Sequence, residues 1–204
     1  MTGLCGETGT EAPDGRTVYH ARSGLASFDS ACFYGAPPVH GPPKRSDFGY
    51  AAMFQARLRA TPEAEARGTD DLVLLMVTSA HHEMEVWLDG QFRGKVPFRR
   101  GDLVAIPPGM DSRWCAPDGQ ASALHLHISG QRLAQTLAEE KGCTRLNLVP
   151  GLAFRDPALQ RLMQAAARLD DADPLVKLQV AAIGAQALLR VLRVPPPGLS
   201  TALG

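Results

Sequence analysis

From about residue 47 to residue 129 the chain is cut by Gly- and Pro-bearing turns at intervals of roughly 8–12 residues, and this spacing constrains the fold more than any other feature. Glu83–Leu88 alternates polar and apolar residues and runs into Asp89-Gly90. That pair is the strongest short hairpin signal, because both residues tolerate the positive φ of a type I′ turn. Gln91–Phe98 is the returning strand, Arg100-Gly101-Asp102 turns into Leu103–Ile106, and Pro107-Pro108-Gly109 breaks the chain again. Asp71–Ser79 is a nearly continuous apolar run, as in a strand buried on both faces, and Ala51–Arg59 alternates approximately. Ser112–Ala116 and Ala121–Ser129, separated by Pro117-Asp118-Gly119, are the last expected strands. Short strands with such turns and no intervening long helices predict a sandwich or small barrel rather than a parallel α/β sheet.

The flanks differ. Residues 1–15 lack apolar periodicity and read as a flexible arm, and residues 35–44 as a stiff Gly/Pro loop. After 129 the period becomes helical. Ser129 or Gly130 caps a helix ending near Gly142. Asp156-Pro157 and Asp173-Pro174 each place an N-cap aspartate before a first-turn proline. The last helix carries two apolar stripes. One is Leu175, Leu178, Ala182, Ala185, Leu189 and Leu192; the other is Val176, Val180, Ile183, Ala187 and Val191. A helix apolar on two sides needs two covers: the 157–170 helix supplies one, and the other is the barrel or, in the expected homodimer, a second subunit. The expected organisation is an arm over 1–15, a barrel over 16–129, a helical dimerisation and linker segment over 130–193 and a linker stub over 194–204.

Composition narrows the function. At 45% hydrophobic and 21% charged residues the chain is an ordinary globular one, and its 21 basic and 21 acidic residues leave no net charge. A domain that grips DNA carries a basic surplus, so contact with DNA is expected only through a segment not present here. Cys5, Cys32, Cys115 and Cys143 form no CxxC pair. Scattered thiols, no signal-peptide pattern and no long apolar run predict a cytoplasmic protein with no membrane contact.

Glu83, Gly90, Gly101, Pro107 and Gly109 resemble, in their spacing, the two halves of the cupin signature. Metal-binding cupins carry a His-x-His pair ahead of that Glu and a further His after the Pro-x-Gly. Here those places hold Val77 and Ser79, or Met76 and Thr78, and then Ser112, so no metal and no cofactor are expected. With "LHLHISGQRLAQTLAEE" and "FRDPALQRLMQAAARLDDADPLVKLQVAAIGAQALLRVL" added, residues 45–193 resemble the N-terminal ligand-binding and dimerisation domain of AraC-family transcription regulators. The resemblance implies a mainly β fold with C-terminal helices: a cupin-like barrel, that is a double-stranded β-helix, followed by a helical hairpin. It implies effector sensing and pairing rather than catalysis. The family's double helix-turn-helix domain does not fit in the seven residues after Pro197, which implies either an excised domain or a natural half-regulator.

Six residues are candidates for an effector pocket. His125 and His127, two apart on an expected strand, share one face. His82 lies beside His81 just before Glu83. Trp87, Arg113 and Trp114 offer an aromatic wall with one guanidinium, suited to a flat or anionic ligand. The rival reading makes His81, His82, His125 or His127 ligands of a stand-alone metal-dependent cupin enzyme. A third reading is a protein-binding adaptor, which predicts a barrel filled by its own side chains. No GxGxxG, P-loop, GxSxG or HExxH pattern occurs.

Overall fold

The computed structural model describes residues 9–46, 51–58, 63–79, 82–116, 120–132, 134–135 and 150–193. Fourteen strands are present among them: β1 Thr10–Glu11, β2 Thr17–His20, β3 Cys32–Tyr34, β4 Val39–His40, β5 Lys44–Arg45, β6 Ala51–Leu58, β7 Glu63–Ala66, β8 Asp71–Val77, β9 His82–Leu88, β10 Gln91–Phe98, β11 Leu103–Ile106, β12 Ser112–Cys115, β13 Ala121–Ser129 and β14 Gly151–Phe154. They form two antiparallel sheets. One runs β1-β2-β3-β7-β12-β9-β10; the other runs β14-β11-β8-β13-β6-β4, with β5 also on β6. Along β6 to β13 the chain passes repeatedly from one sheet to the other, so two faces are brought together from strands distant in sequence.

The turn chemistry is as the residues require. Asp89 (φ 49°) and Gly90 (φ 72°) are both left-handed, which closes β9 onto β10 with the twist a hairpin needs. β8 is covered on both faces, fully on one and partly on the other. Leu72, Leu74 and Met76 pack towards the C-terminal helices, and Val73, Leu75 and Val77 face the space between the sheets. β13 divides in the same way. Leu124, Leu126 and Ile128 join the helix-facing core, while Ala121, Ala123, His125 and His127 face inward.

Three helices are described: α1 Ala26–Asp29, α2 Pro157–Ala167 and α3 Val176–Arg193. The Asp156 carboxylate caps α2 by accepting from the N–H groups of Ala158 and Leu159 at 2.9 and 3.1 Å, and its second oxygen accepts from Arg190 of α3 at 2.7 Å. One aspartate thus starts the first helix of the hairpin and ties down the second. Leu159, Met163 and Ala166 of α2 and Val180, Ala187, Leu188 and Val191 of α3 pack onto the outer face of β13, β8 and β6. Lys44 donates to the carbonyl of Leu169 and fixes β5 to the turn between these helices.

Two elements depart from the sequence reading. A strand, β14, stands inside the stretch read as helical. It pairs with β11 through an irregular register and holds Ala153 at φ 49°. Four residues with one left-handed position show no alternation, so only pairing with a distant strand defines them. Thr10–Glu11, in the expected arm, pairs with Thr17–Val18 at a sheet edge. Of the helix expected to end near Gly142, Ser129 Oγ accepts from the N–H of Arg132 at 3.3 Å as a cap does, and residues 136–149 lie outside the described residues.

Candidate functional site

The two sheets enclose a cavity of about 150 Å³, walled mainly by apolar side chains such as Val73, Leu75, Met84, Phe98, Val104 and Ile106. Two groups of its polar side chains include histidines. In one, His82 stacks on Phe98 with centroids 5.8 Å apart, and its Nδ1 lies 3.3 Å from Ser79 Oγ. Ser122, a cavity-wall residue, meets Thr78 Oγ1 at 2.7 Å beside them.

The other is the wall built on β13. His125 pairs in register with Phe54 and Leu75, and His127 with Ala52 and Val73. The two-residue period of the strand sets both imidazoles on the inner face, nearly parallel (11°) with centroids 5.8 Å apart. Phe54 stacks against both rings at 5.0 and 5.6 Å, and Phe28 meets His125 edge-on at 5.2 Å.

Phe28 and its neighbour Ser27 are held there by α1. Asp29 locks the loop before α1 by accepting from Ser23 N, Ser23 Oγ and Gly24 N, each at 2.7 Å. Ser27 Oγ lies 2.8 Å from Nδ1 of His127, and the Asp71 carboxylate stands 3.8 Å from the same nitrogen. Serine, histidine and aspartate therefore meet, but both oxygens face Nδ1. A nucleophilic relay needs the hydroxyl on one ring nitrogen and the carboxylate on the other. This arrangement holds an imidazole; it does not activate a serine.

Burial drives His127 from its ordinary value down to about 3. His125 is pushed well below its ordinary value by burial first and by the neighbouring His127 and His40 next. Both rings are neutral at pH 7. His125 Nδ1 and His127 Nε2 are buried without a hydrogen-bond partner among the described residues. Ser27, Thr69, Asp71 and His127 also wall a second, outer cleft of about 480 Å³, so His127 stands between the cavity and the surface.

The six expected pocket residues are separated by strand alternation. His82, Trp114, His125 and His127 line the cavity. Trp87 and Arg113 do not, which corrects the expected aromatic wall. They are directly opposite one another on β9 and β12 and stack as a cation–π pair at 4.8 Å on the far side of the sheet. Arg113 there meets Glu63 at 2.6 Å and Glu65 at 3.5 Å. Adjacent residues of a strand point to opposite faces, so Arg113 and Trp114 cannot share a pocket. Ser27 and Asp71 are functional candidates that sequence reasoning missed. Ser27 comes from a four-residue helix outside the strand pattern, and Asp71 is the polar first residue of an apolar strand.

No protein-family model matches the chain, and no curated protein matches it. Solved structures similar to it include the plu4264 protein of Photorhabdus luminescens (11% identity, 53% of this chain and 85% of that one, TM-score 0.37). Others are the Cnp3 cupin domain of Schizosaccharomyces pombe (9%, 57% and 70%, 0.38) and a salicylate 1,2-dioxygenase of Pseudaminobacter salicylatoxidans (16%, 49% and 28%, 0.36). At these TM-scores and identities the likenesses assign neither family nor activity to this chain.

Among the described residues no three His, Cys, Asp or Glu side chains converge. The buried residue at position 112 is a serine. His81, named in the metal reading, lies outside the described residues.

Proposed function

We propose that this chain is a small-molecule sensing and pairing module of a transcription regulator of the AraC kind. Its eight strands β6–β13 are read as a cupin-like double-stranded β-helix, since their orders β6-β13-β8-β11 and β7-β12-β9-β10 follow the two-sheet jelly-roll plan. The single observation that carries the sensing part is the cavity of about 150 Å³ between the sheets, with His125 and His127 among the residues that line it. A filled interior, expected of an adaptor, would leave no such space.

The coupling part rests on β13. Its inner residues His125 and His127 face the cavity, and its outer residues Leu124, Leu126 and Ile128 carry α2 and α3. A ligand that prefers one arrangement of this strand shifts the population of helix arrangements behind it. The pairing part rests on α3. Leu175, Leu178 and Leu189 are 56%, 58% and 50% exposed, Ala182 is exposed and Ala185 half-buried, while the opposite stripe is in the core. The Leu192 side chain lies outside those described. Contact with DNA belongs to a helix-turn-helix domain outside this chain, and the cytoplasm is the proposed location. The structure adds that no helix among the described residues is long and apolar enough to cross a membrane.

Sedimentation velocity at tens of micromolar tests pairing. A dimer is expected for the native chain and a folded monomer for Leu178→Asp with Leu189→Asp. A monomeric native chain would end the pairing part of the reading.

A further inference from the structure

Resting on the sensor reading, we infer that the effector is an uncharged, largely apolar molecule about the size of one aromatic ring, held by burial of its surface and not by an ionic or hydrogen-bonding anchor.

Accessible apolar surface remains in the middle of the sheets. β8 lies between β11 and β13, so a strand flanks it on either side. Its residues Leu72, Leu74 and Met76 are buried, yet Val73 and Leu75 are only half-buried. Ala123 of β13 and Trp114 of β12, also an interior strand, are half-buried as well, and all four line the cavity. Apolar surface that the protein's own packing leaves open is what an apolar ligand covers, and covering it is favourable in proportion to the area removed from water.

Charge selects against ions. The charged side chains lining the cavity, among the described residues, are Arg67 and Asp71. Arg67 is exposed, and Asp71 also lines the outer cleft. Burial keeps His125 and His127 neutral, and Arg113 is paired with Glu63 on the far face of the sheet. An ion inside would be desolvated without a buried counter-charge, which is the costly case. Hydrogen bonding selects against polar molecules. Of the hydroxyl residues lining the cavity, Ser27 and Ser122 are already engaged with His127 Nδ1 at 2.8 Å and Thr78 Oγ1 at 2.7 Å. A polar ligand gives up its water and gains few partners in return. Size selects the body. An apolar cavity of roughly 150 Å³ takes up one benzene-sized ring, the volume found here is about 150 Å³, and Phe28, Phe98 and Trp114 offer it aromatic surfaces.

The test is isothermal titration of the whole chain at pH 7.5 with five probes. Toluene matches the inferred effector and phenol adds one hydroxyl. Benzoate and benzylamine add a negative and a positive charge, and uracil is an uncharged flat ring that is polar throughout. Toluene is expected to bind at least as tightly as phenol and at least tenfold more tightly than the other three, the weight of one uncompensated polar group. Methyl ¹³C spectra locate it: the signals of Val73, Leu75, Val104 and Ile106 are expected to move, and those of Leu72, Leu74 and Leu126 to stay. Ala123→Phe, which fills the cavity, is expected to lose toluene binding; if that variant does not fold, the methyl spectra of the native chain decide the same point. Equal or tighter binding of benzoate, benzylamine or uracil, or tighter binding of phenol than of toluene, overturns the inference and leaves the sensor reading standing. Toluene bound with the cavity methyl signals unmoved, undiminished binding by folded Ala123→Phe, or no binding of any probe by folded protein overturns both.

Discussion

The hydroxyl of Ser27 lies 2.8 Å from Nδ1 of His127, across one hundred residues of sequence. This contact joins a short N-terminal helix to strand β13 and sits where the cavity and the outer cleft share lining residues. Ser27, His127 and Asp71 each line both spaces.

Ser27→Ala removes the hydroxyl and leaves the buried Nδ1 with only the carboxylate at 3.8 Å. A lost hydrogen bond of this kind is worth about 1–2 kcal/mol. Urea unfolding of the variant is expected to show a lower midpoint with an unchanged slope. Unchanged stability would mean that the α1 contact does not hold the ring.

Acid should destabilise the protein before its carboxylates titrate. The folded-state values of His125 and His127 are depressed by burial, His127 to about 3, while in the unfolded chain histidine titrates near 6.5. Below that unfolded value the unfolded chain binds protons that the folded chain refuses. The stabilisation is complete above about pH 6.5 and is lost as pH falls towards the folded values, with a slope of about 1.4 kcal/mol per pH unit for each imidazole. Unfolding free energies at pH 7.5, 6.5 and 5.5 measure it, and His127→Phe is expected to reduce the slope by one proton.

Much of this architecture is legible in the residues. Asp89-Gly90 is a hairpin because only residues tolerating positive φ close that turn. Asp156-Pro157 starts a helix because the carboxylate meets the free N–H groups. His125 and His127 share a face because a strand repeats every two residues. The same rule separates Arg113 from Trp114, and applying it to Trp87 required knowing which β9 residue faces inward, which pairing with β12 decides. β14 and the Ser27 contact depend on distant partners, and no local pattern encodes them.

Asp156 shows how one side chain joins the helical layer. Burial acts to raise its carboxyl, but the Arg190 guanidinium and the N–H groups of Leu159 and Ala158 outweigh it and hold the carboxyl below the usual carboxylate value. Asp156→Ala loses the cap and the pair together, and a destabilisation of about 2–3 kcal/mol is expected from the two. Asp156→Asn keeps a capping oxygen and is expected to recover part of it in the same urea measurement.

Uptake of a small molecule by the cavity between the sheets is tested most directly by fluorescence. The chain has two tryptophans, of which Trp114 lines the cavity and Trp87 lies on the far face of the sheet. Replacing Trp87 by Phe leaves Trp114 as the sole indole reporter. Titration of that variant with phenol, excited at the red edge of the indole band, is predicted to give a saturable change in Trp114 emission that Ala123→Phe, which fills the cavity, abolishes. A response linear in phenol and equal in both proteins would contradict uptake by the cavity.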